Sequence, residues 1–382
     1  MNGSDFRVER GTAPADGTDW RTEIDERKRL HLRVWLYTGA ALTFLILVIG
    51  GITRLTQSGL SMVDWRPIMG VIPPLTEAQW WETFDQYRAY PEYQILRQGM
   101  TLAEFQFIFF WEYLHRMVAR LIGLVFLIPF VIFWLRGYLN RPLTLRLLVL
   151  FGLGAAQGVM GWLMVASGLI DVPNVSHYRL AAHLSLAFAI FGYCLWLARD
   201  LAIRPGAQRM GDAALGSVRT GLYLLGGLLG IQIVWGAFVA GMKAGFVFNT
   251  FPLMAGRLVP PQLLEMQPVI VNFFENAITV QWTHRVLGTI LLAAAIWFYL
   301  KVRAMEVDRL TRQLNIAFLA LILVQYALGV ATLVLRVPLS LGVIHQAAAM
   351  VIFGVWIVWL HHVRTHRSSI PTPREAAETV PA

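Results

Sequence analysis

The sequence predicts an all-α integral membrane protein whose eight transmembrane helices form two pseudo-twofold-related four-helix bundles. Three observations predict this fold: an apolar composition, eight apolar segments of membrane-spanning length, and an internal repeat. Hydrophobic residues make up 57% of the 382 residues and charged residues 14%, against about 45–50% and about 25% in soluble domains. An ordinary soluble protein is therefore excluded.

The eight apolar segments are each long enough to cross a hydrocarbon core of about 30 Å. Each should be helical, because a single helix satisfies its own backbone hydrogen bonds in lipid. An even number of spans places both chain termini on the same side of the membrane. The segments are approximately residues 34–53, 106–135, 147–168, 181–198, 220–241, 273–300, 314–335 and 343–362.

The distribution of Lys and Arg predicts the orientation. One set of connections holds more than twice as many basic residues as the other, and basic connections normally remain in the cytoplasm. The basic set is residues 1–33, 136–146, 199–219, 301–312 and 363–382, so both termini are predicted to be cytoplasmic. The net charge of +9 is thereby attributed to topology, and no nucleic acid partner is expected.

The N-terminal tail, residues 1–33, is polar and has no apolar core of a cleavable signal peptide. It also carries seven Asp and Glu residues, unlike an acid-poor transit peptide, which favours a bacterial inner membrane over an imported organelle protein. The outward connections 61–93 and 246–268 are long and rich in aromatic residues and proline, and we expect them to form caps on the outer surface.

The internal repeat relates the first four spans to the last four. Its clearest correspondence aligns Glu112-Tyr-Leu-His115-Arg116 with Gln281-Trp-Thr-His284-Arg285. Further correspondences align Gly51 with Gly236, the run 157–161 with 325–329, and His183 with His345. The predicted division is a first bundle at 34–205, a second at 206–366, and a cytoplasmic tail at 367–382. Because each unit has four spans, the two copies share one orientation.

Four histidines lie inside spans, two in each half: His115, His183, His284 and His345. At about 1.5 Å per residue, each lies about 24–32 Å from the first basic residue at the cytoplasmic end of its span. They therefore form one layer near the outer face. A single intramembrane histidine can be a hydrogen bonder between helices, but four at matched depth indicate a shared function.

Two imidazoles per bundle suit haem iron better than a bare metal ion. Zinc or copper would lack protein ligands, whereas a porphyrin supplies four equatorial nitrogens itself. The single cysteine, Cys194, excludes a cysteine-based metal centre, a covalently attached haem and an internal disulfide. The predicted pairs are His115 with His183, and His284 with His345. Arg116 and Arg285, beside two of these histidines, could pair with haem propionates.

The two halves differ in one acidic residue. Glu112 stands three positions before His115 and on the same helical face, whereas the corresponding residue before His284 is the neutral Gln281. A carboxyl group at this depth could accept or donate a proton near the iron, or bond to a neighbouring helix. A di-iron centre is improbable, since it needs a second Glu-x-x-His pair and further carboxylates.

The remaining histidines are interpreted as surface residues. His31, His361, His362 and His366 lie at the cytoplasmic border, where solvated side chains are expected, and His177 lies in a short outer connection. Glu275 is predicted to point away from the site at His284.

Several motifs together resemble the haem A synthase family over roughly residues 30–365. They are the Glu112–Arg116 run, the Tyr178–His183 run, Phe273–Asn276 with His284-Arg285, and His345-Gln346. That family serves cytochrome oxidase assembly in bacteria and mitochondria. The chain resembles its cysteine-poor form, because it lacks the cysteine pairs that another form carries in its outer loops.

The resemblance implies an oxidoreductase that converts the C8 methyl group of haem O to a formyl group through a hydroxylated intermediate. It implies that His284 and His345 ligate a resident haem b, that His115 and His183 hold the substrate haem, and that Glu112 is catalytic. Haem O synthase and an electron acceptor are the protein partners it suggests, and it leaves a homo-oligomer open.

Two other classes remain compatible with the residues alone. The histidine layer and the repeat also suit a di-haem b-type electron carrier without substrate chemistry, or a haem exporter or assembly factor that binds haem reversibly. The contrast between Glu112 and Gln281 is the feature that favours an enzyme.

Overall fold

The computed structural model describes residues 20, 23–62, 71–168, 175–203 and 213–365, and this part of the chain is helical and without strands. Eight of its helices are long and apolar enough to cross a membrane, which confirms the predicted fold class and a multi-pass membrane protein. In chain order the helices are α1 (Glu26–Leu55), α2 (Glu77–Arg88), α3 (Pro91–Leu96), α4 (Leu102–Leu135), α5 (Arg141–Gly168), α6 (His177–Asp200), α7 (Ala213–Gly241), α8 (Asn272–Glu275), α9 (Ala277–Arg303), α10 (Arg309–Val334) and α11 (Leu339–Thr365).

Side-chain caps set the first residues of several spans. The Asp25 carboxylate accepts a hydrogen bond from the Lys28 amide at 3.0 Å, so α1 begins at Glu26, well before its apolar segment. Asp308 does the same for α10 by accepting from the Leu310 and Thr311 amides. Such caps satisfy amide groups that the first helical turn leaves unpaired, which is why apolar segments underestimate helix length.

The spans pack in the same way in both halves. In the first half α1 contacts α4 and α6, and α5 contacts α6. In the second half α7 contacts α9 and α11, and α10 contacts α11. The halves meet where α6 packs on α7 and where α11 packs on α1 and α6. One apolar core, with Trp35 and Leu147, lies in the first half, and another, with Phe298 and Trp359, lies in the second.

One contact differs between the halves. Helix α9 packs closely against α10. The corresponding helices of the first half, α4 and α5, meet through aromatic rings, with Phe130 and Phe151 5.0 Å apart between centroids and Phe126 against the same ring. The first bundle is therefore less closely packed between these two helices on the cap side of the rings.

The short helices and the connections beside them form a cap at one end of the spans. Helices α2 and α3 rest on the first turns of α4 through an aromatic cluster, in which the Phe84 and Phe105 rings stack at 4.9 Å between centroids. Asn272 of α8 donates hydrogen bonds to the Met266 and Val269 carbonyls. We call this end the cap face. Residues 63–70 of the first predicted cap lie outside the described residues.

At the opposite end, two histidines predicted to be solvated are buried. His361 is 1% exposed and its Nε2 lies 3.0 Å from the Asp200 carboxylate, while His362 Nε2 lies 3.1 Å from Asp308. The sequence interpretation was wrong here because both partners are distant in the sequence. His31 is exposed as expected. His366 lies outside the described residues.

Replacing Asp200 by Asn is expected to destabilise the protein strongly. Asp200 joins three helices, since it also accepts a hydrogen bond from Arg146 at 3.2 Å. The buried His361 ring would lose its charged hydrogen-bond partner, and a buried group left without its partner typically costs about 1–3 kcal/mol, so the unfolding temperature in detergent should fall clearly. The matched control is Asp85→Asn, which breaks the exposed pair with Arg88 and should cost at most about 1 kcal/mol. Equal shifts for both variants would contradict this prediction.

Candidate active site

One cavity near the cap face contains all five predicted site residues. Its volume is about 1480 Å³, and its lining includes Glu112, His115, His183, His284 and His345. This volume exceeds the about 300–1,000 Å³ of a pocket for one drug-sized ligand. The cavity is continuous between the two halves, so both histidine pairs share one chamber.

Each histidine ring lies against a glycine of a neighbouring helix. A Cβ atom built on Gly236 would lie 3.1 Å from His284 Cε1, and one on Gly329 would lie 3.0 Å from His345 Cε1. The corresponding distances are 3.5 Å for Gly50 with His115 and for Gly161 with His183. A side chain at Gly236 or Gly329 would therefore push the ring away from its present place. The absence of a side chain at these glycines thus allows the imidazole rings to occupy their present positions.

Three of these glycines follow a glutamine by four positions, which places both residues on one helical face. Gln157 Nε2 lies 3.3 Å from His183 Nε2, and Gln232 Nε2 lies 3.4 Å from His284 Nε2. Gln325 donates to the backbone carbonyl of His345 at 3.0 Å. In α1 the residue four positions before Gly50 is Ile46. The α1 surface that faces His115 therefore lacks, at this position, the glutamine that contacts each of the other three histidines.

The donor set of the cavity fits haem. His115 and His183 line the chamber in the first half, and His284 and His345 line it in the second. The Nδ1 atoms of His183, His284 and His345 are buried without a hydrogen-bond partner. No three His, Cys, Asp or Glu side chains cluster as metal ligands within the described residues. An iron that brings four porphyrin nitrogens needs only the two imidazoles that each half offers.

Glu112 is held by donors from two elements. It is 3% exposed, and its Oε2 accepts hydrogen bonds from Ser61 Oγ at 2.7 Å and from the Met62 amide at 2.8 Å. Its Oε1 pairs with Arg116 Nη2 at 2.5 Å. These three donors fix the orientation of the carboxylate. Gln281, the corresponding residue of the second half, instead donates to the Phe248 carbonyl at 3.0 Å.

The arginines after His115 and His284 hold the connections of the cap face. Arg116 donates to the Met62 carbonyl at 2.9 Å, and Arg285 donates to the Phe248 and Thr250 carbonyls at 2.8 Å. Both therefore tie a histidine-bearing helix to the connection that covers it. These bonds give the two arginines a structural role, which the propionate interpretation did not foresee.

Sequence reasoning missed a second buried acid, Glu92 of α3. It is 5% exposed, its Oε1 lies 3.7 Å from Arg97 Nε, and its Oε2 is buried without a hydrogen-bond partner. It lines the same cavity as Glu112. Burial raises the pKa of Glu92 to about 7; the Arg97 charge opposes this rise and the Glu112 charge adds to it. Nothing in the run around Glu92 marks it as buried, because the burial comes from packing of the cap.

His177 is not the surface residue expected from the sequence. Its side chain is 13% exposed, and its ring packs edge-on against Phe238 of α7. Its Nε2 lies 4.0 Å from Glu275, which also accepts a hydrogen bond from Tyr178 at 2.6 Å. These contacts join α6 to α8 across the two halves. Glu275 is thus engaged with α6.

The fold and the cavity define a multi-pass helical membrane protein with a buried, histidine-lined chamber of haem-binding chemistry. A model of the "Cytochrome oxidase assembly protein" family matches residues 33–357, and the chain belongs to that family. The chain is similar to proteins named "Heme A synthase" from three bacteria. It is 44% identical to that of Nitrosospira multiformis over 87% of this chain and 92% of the relative. The Parvibaculum lavamentivorans protein is 45% identical over 86% and 93%, and the Chelativorans protein 43% over 93% and 96%.

Proposed function

We propose that this protein acts as a haem A synthase, an oxidoreductase that converts haem O to haem A. The name shared by relatives of 43–45% identity over most of both chains supports this function. The observation that carries it in the structure is the acid of the first half. Glu112 lies one turn from His115 inside a chamber that also holds His284 and His345, whereas the second half has Gln281 in its place.

The two halves have different roles in this proposal. His115 and His183 hold the substrate haem O, and His284 and His345 hold a resident haem b. When bound, that haem supplies one-electron redox chemistry. The shared chamber keeps both ligand pairs in one apolar space, and the glycines beside the rings fix the distances. Burial also keeps bulk water from the reacting methyl group.

Glu112 accepts protons that are released at the reacting carbon. Oxidation of the hydroxylated intermediate to the formyl group releases two protons and two electrons. The electrons pass to the electron acceptor, and the protons need an acceptor near the substrate. The Glu112 carboxylate is oriented for this by Ser61, Met62 and Arg116. Gln281 cannot take up a proton, so only the first half can perform this step.

Glu92 carries protons onward to the cap face. It lines the chamber, its pKa is raised by the Glu112 charge, and it belongs to a short helix of the cap. Its neighbours in this path are Arg97 at the end of α3, Tyr87 of α2 and Lys243 after α7. With its pKa near 7, Glu92 can both take up and release a proton at neutral pH.

Glu92→Gln should slow turnover and flatten its pH dependence. A proton acceptor must be ionised, and a carboxyl with a pKa of about 7 becomes ionised between about pH 6 and pH 8. Wild-type kcat should therefore rise over this interval, while the variant should be about tenfold slower at pH 8 and lack the rise. KM for haem O should stay constant. The control is Glu82→Gln, an exposed acid of the same cap. If Glu92→Gln kept the wild-type pH dependence of kcat, Glu92 would not belong to the proton path.

The orientation follows from charge. We propose that the cap face is outside a bacterial inner membrane and that both termini are cytoplasmic, since the opposite end carries the basic connections. The first and second bundles, 34–205 and 206–366, are then the substrate and the haem b halves. A haem O synthase upstream and an electron acceptor downstream complete the proposed setting.

The alternative with structural support is a di-haem b-type electron carrier, because both halves offer a matched histidine pair. Acid extraction of the purified protein, followed by chromatography and mass measurement, separates the two. Haem O, its hydroxylated form or haem A beside haem b is the result expected for the synthase. Haem b alone at two equivalents, with no conversion of added haem O, would establish the carrier.

A further inference from the structure

The first bundle is open to the surface between α4 and α5. Along α4, the residues that line the chamber extend from His115 to Leu127, a distance of about 18 Å at about 1.5 Å per residue. Along α9 the lining stops at Leu291, about 10 Å past His284. The first half therefore extends the chamber by an apolar cleft, which we call the α4–α5 cleft.

The cleft reaches the surface that faces lipid. Gly154, Ala155 and Gly158 of α5 line the chamber and are also exposed on the protein surface. Leu121 and Leu124, on the α4 side, are likewise both lining and exposed. A Cβ atom added at Gly154 or Gly158 would meet nothing within 4 Å. Space is therefore available along this side of α5.

The repeat shows what closes the same side of the second half. The correspondence of 157–161 with 325–329 aligns Gly154 with Ile322 and Gly158 with Tyr326. Tyr326 shares a hydrogen bond with Thr289 at 3.0 Å, which ties α10 to α9. Two bulky residues thus fill the space that two glycines leave open in the first half. There α4 and α5 meet farther from the cap face, where Phe126 and Phe130 pack on Phe151 and close the inner end of the cleft.

We propose that the α4–α5 cleft binds the isoprenoid side chain of the haem substrate and admits that substrate from the bilayer. This inference rests on the proposed function. Haem O carries a long apolar side chain and is an amphiphile that resides in lipid. The cleft begins at His115, where the macrocycle would be held, and continues through apolar residues of α4 and α5. Haem b lacks this chain, and its half has no such cleft.

The cleft also separates the haem types between the halves. Apolar contacts with the side chain add binding free energy only in the first half, in proportion to the area that they remove from water. In the second half, Ile322 and Tyr326 occupy the corresponding volume, so a haem with a long side chain would clash there. The substrate is thereby directed to the half that contains Glu112.

The test replaces the two cleft glycines by the residues found at the corresponding positions of the second half. Gly158→Tyr and, separately, Gly154→Ile are titrated with haem O and with protohaem, and the dissociation constants are read from the absorption spectrum. We expect the wild type to prefer haem O. Each variant should weaken haem O binding by about 10–100-fold and leave protohaem binding unchanged. Gly152→Ile is the matched control, because Gly152 is exposed on the same helix but does not line the chamber.

Two results would overturn the cleft assignment: unchanged haem O affinity in both variants, or equal weakening for haem O and protohaem. Haem b content of the second half reports whether each variant is folded. Failure of the wild type to convert haem O would instead overturn the proposed function, since this binding measurement does not depend on turnover. The two failures are therefore distinguishable.

Discussion

Glu112→Gln is expected to reduce haem A formation by about 10²–10⁴-fold while the protein still binds haem in both halves. The glutamine keeps an oxygen that can accept from Ser61 and the Met62 amide, so the site should keep its shape. It cannot take up a proton, so the reaction should stop before the aldehyde. Haem extraction with mass measurement should show haem O and its hydroxylated form in place of haem A.

The control for this prediction is Glu104→Gln. Glu104 lies on the same helix, accepts from the Thr101 amide at the first turn, and is remote from the chamber lining. A glutamine can make the same capping contact, so haem A formation should stay near the wild-type level. Normal haem A production by Glu112→Gln would exclude the role given to this carboxyl.

His284→Ala is expected to lose the resident haem b and keep the fold. The substitution removes one of the two imidazoles of the second half, and a single axial histidine holds b-type haem less firmly in a site built for two. The haem b content should fall toward zero in protein purified without added haem, and the absorption bands of haem b should disappear. Circular dichroism should report unchanged helix content.

Two further variants make the His284 result specific. His31→Ala removes an exposed histidine stacked on Tyr138 and should keep the full haem b content. His115→Ala should also keep it, because our proposal assigns His115 to the substrate half. A haem content that is unchanged in His284→Ala, or lowered equally in His115→Ala and His284→Ala, would contradict the division of roles between the halves.

The spans and the histidine layer could be predicted from the sequence because both depend on local information. Hydropathy over about 20 residues identifies a transmembrane helix, and the helical rise converts sequence offsets into depth. The internal repeat also predicted which spans of the first half correspond to which spans of the second. Helix ends were harder to predict, since Asp25 and Asp308 extend α1 and α10 into polar sequence.

The surroundings of the site could not be predicted, since they come from residues far apart in the chain. Ser61 reaches Glu112 across 51 positions, and His361 reaches Asp200 across 161. The burial of Glu92 depends on how α3 packs against the chamber. The contrast of Gly158 with Tyr326 is present in the repeat, but its meaning appears only once α9 is seen to pack more closely on α10 than α4 packs on α5.

Ile46, in the place that glutamine takes in the other three helices, has a consequence for ligand exchange. An amide beside a histidine limits how far the ring or its backbone can turn, which suits a ligand that stays for the lifetime of the protein. The α1 surface facing His115 offers no such amide at this position, so the His115 ring has more freedom to swing away from iron. We therefore expect release of the product haem to begin at His115 of α4, whereas the haem b proposed for the second half would stay bound between His284 and His345, each of which contacts a glutamine.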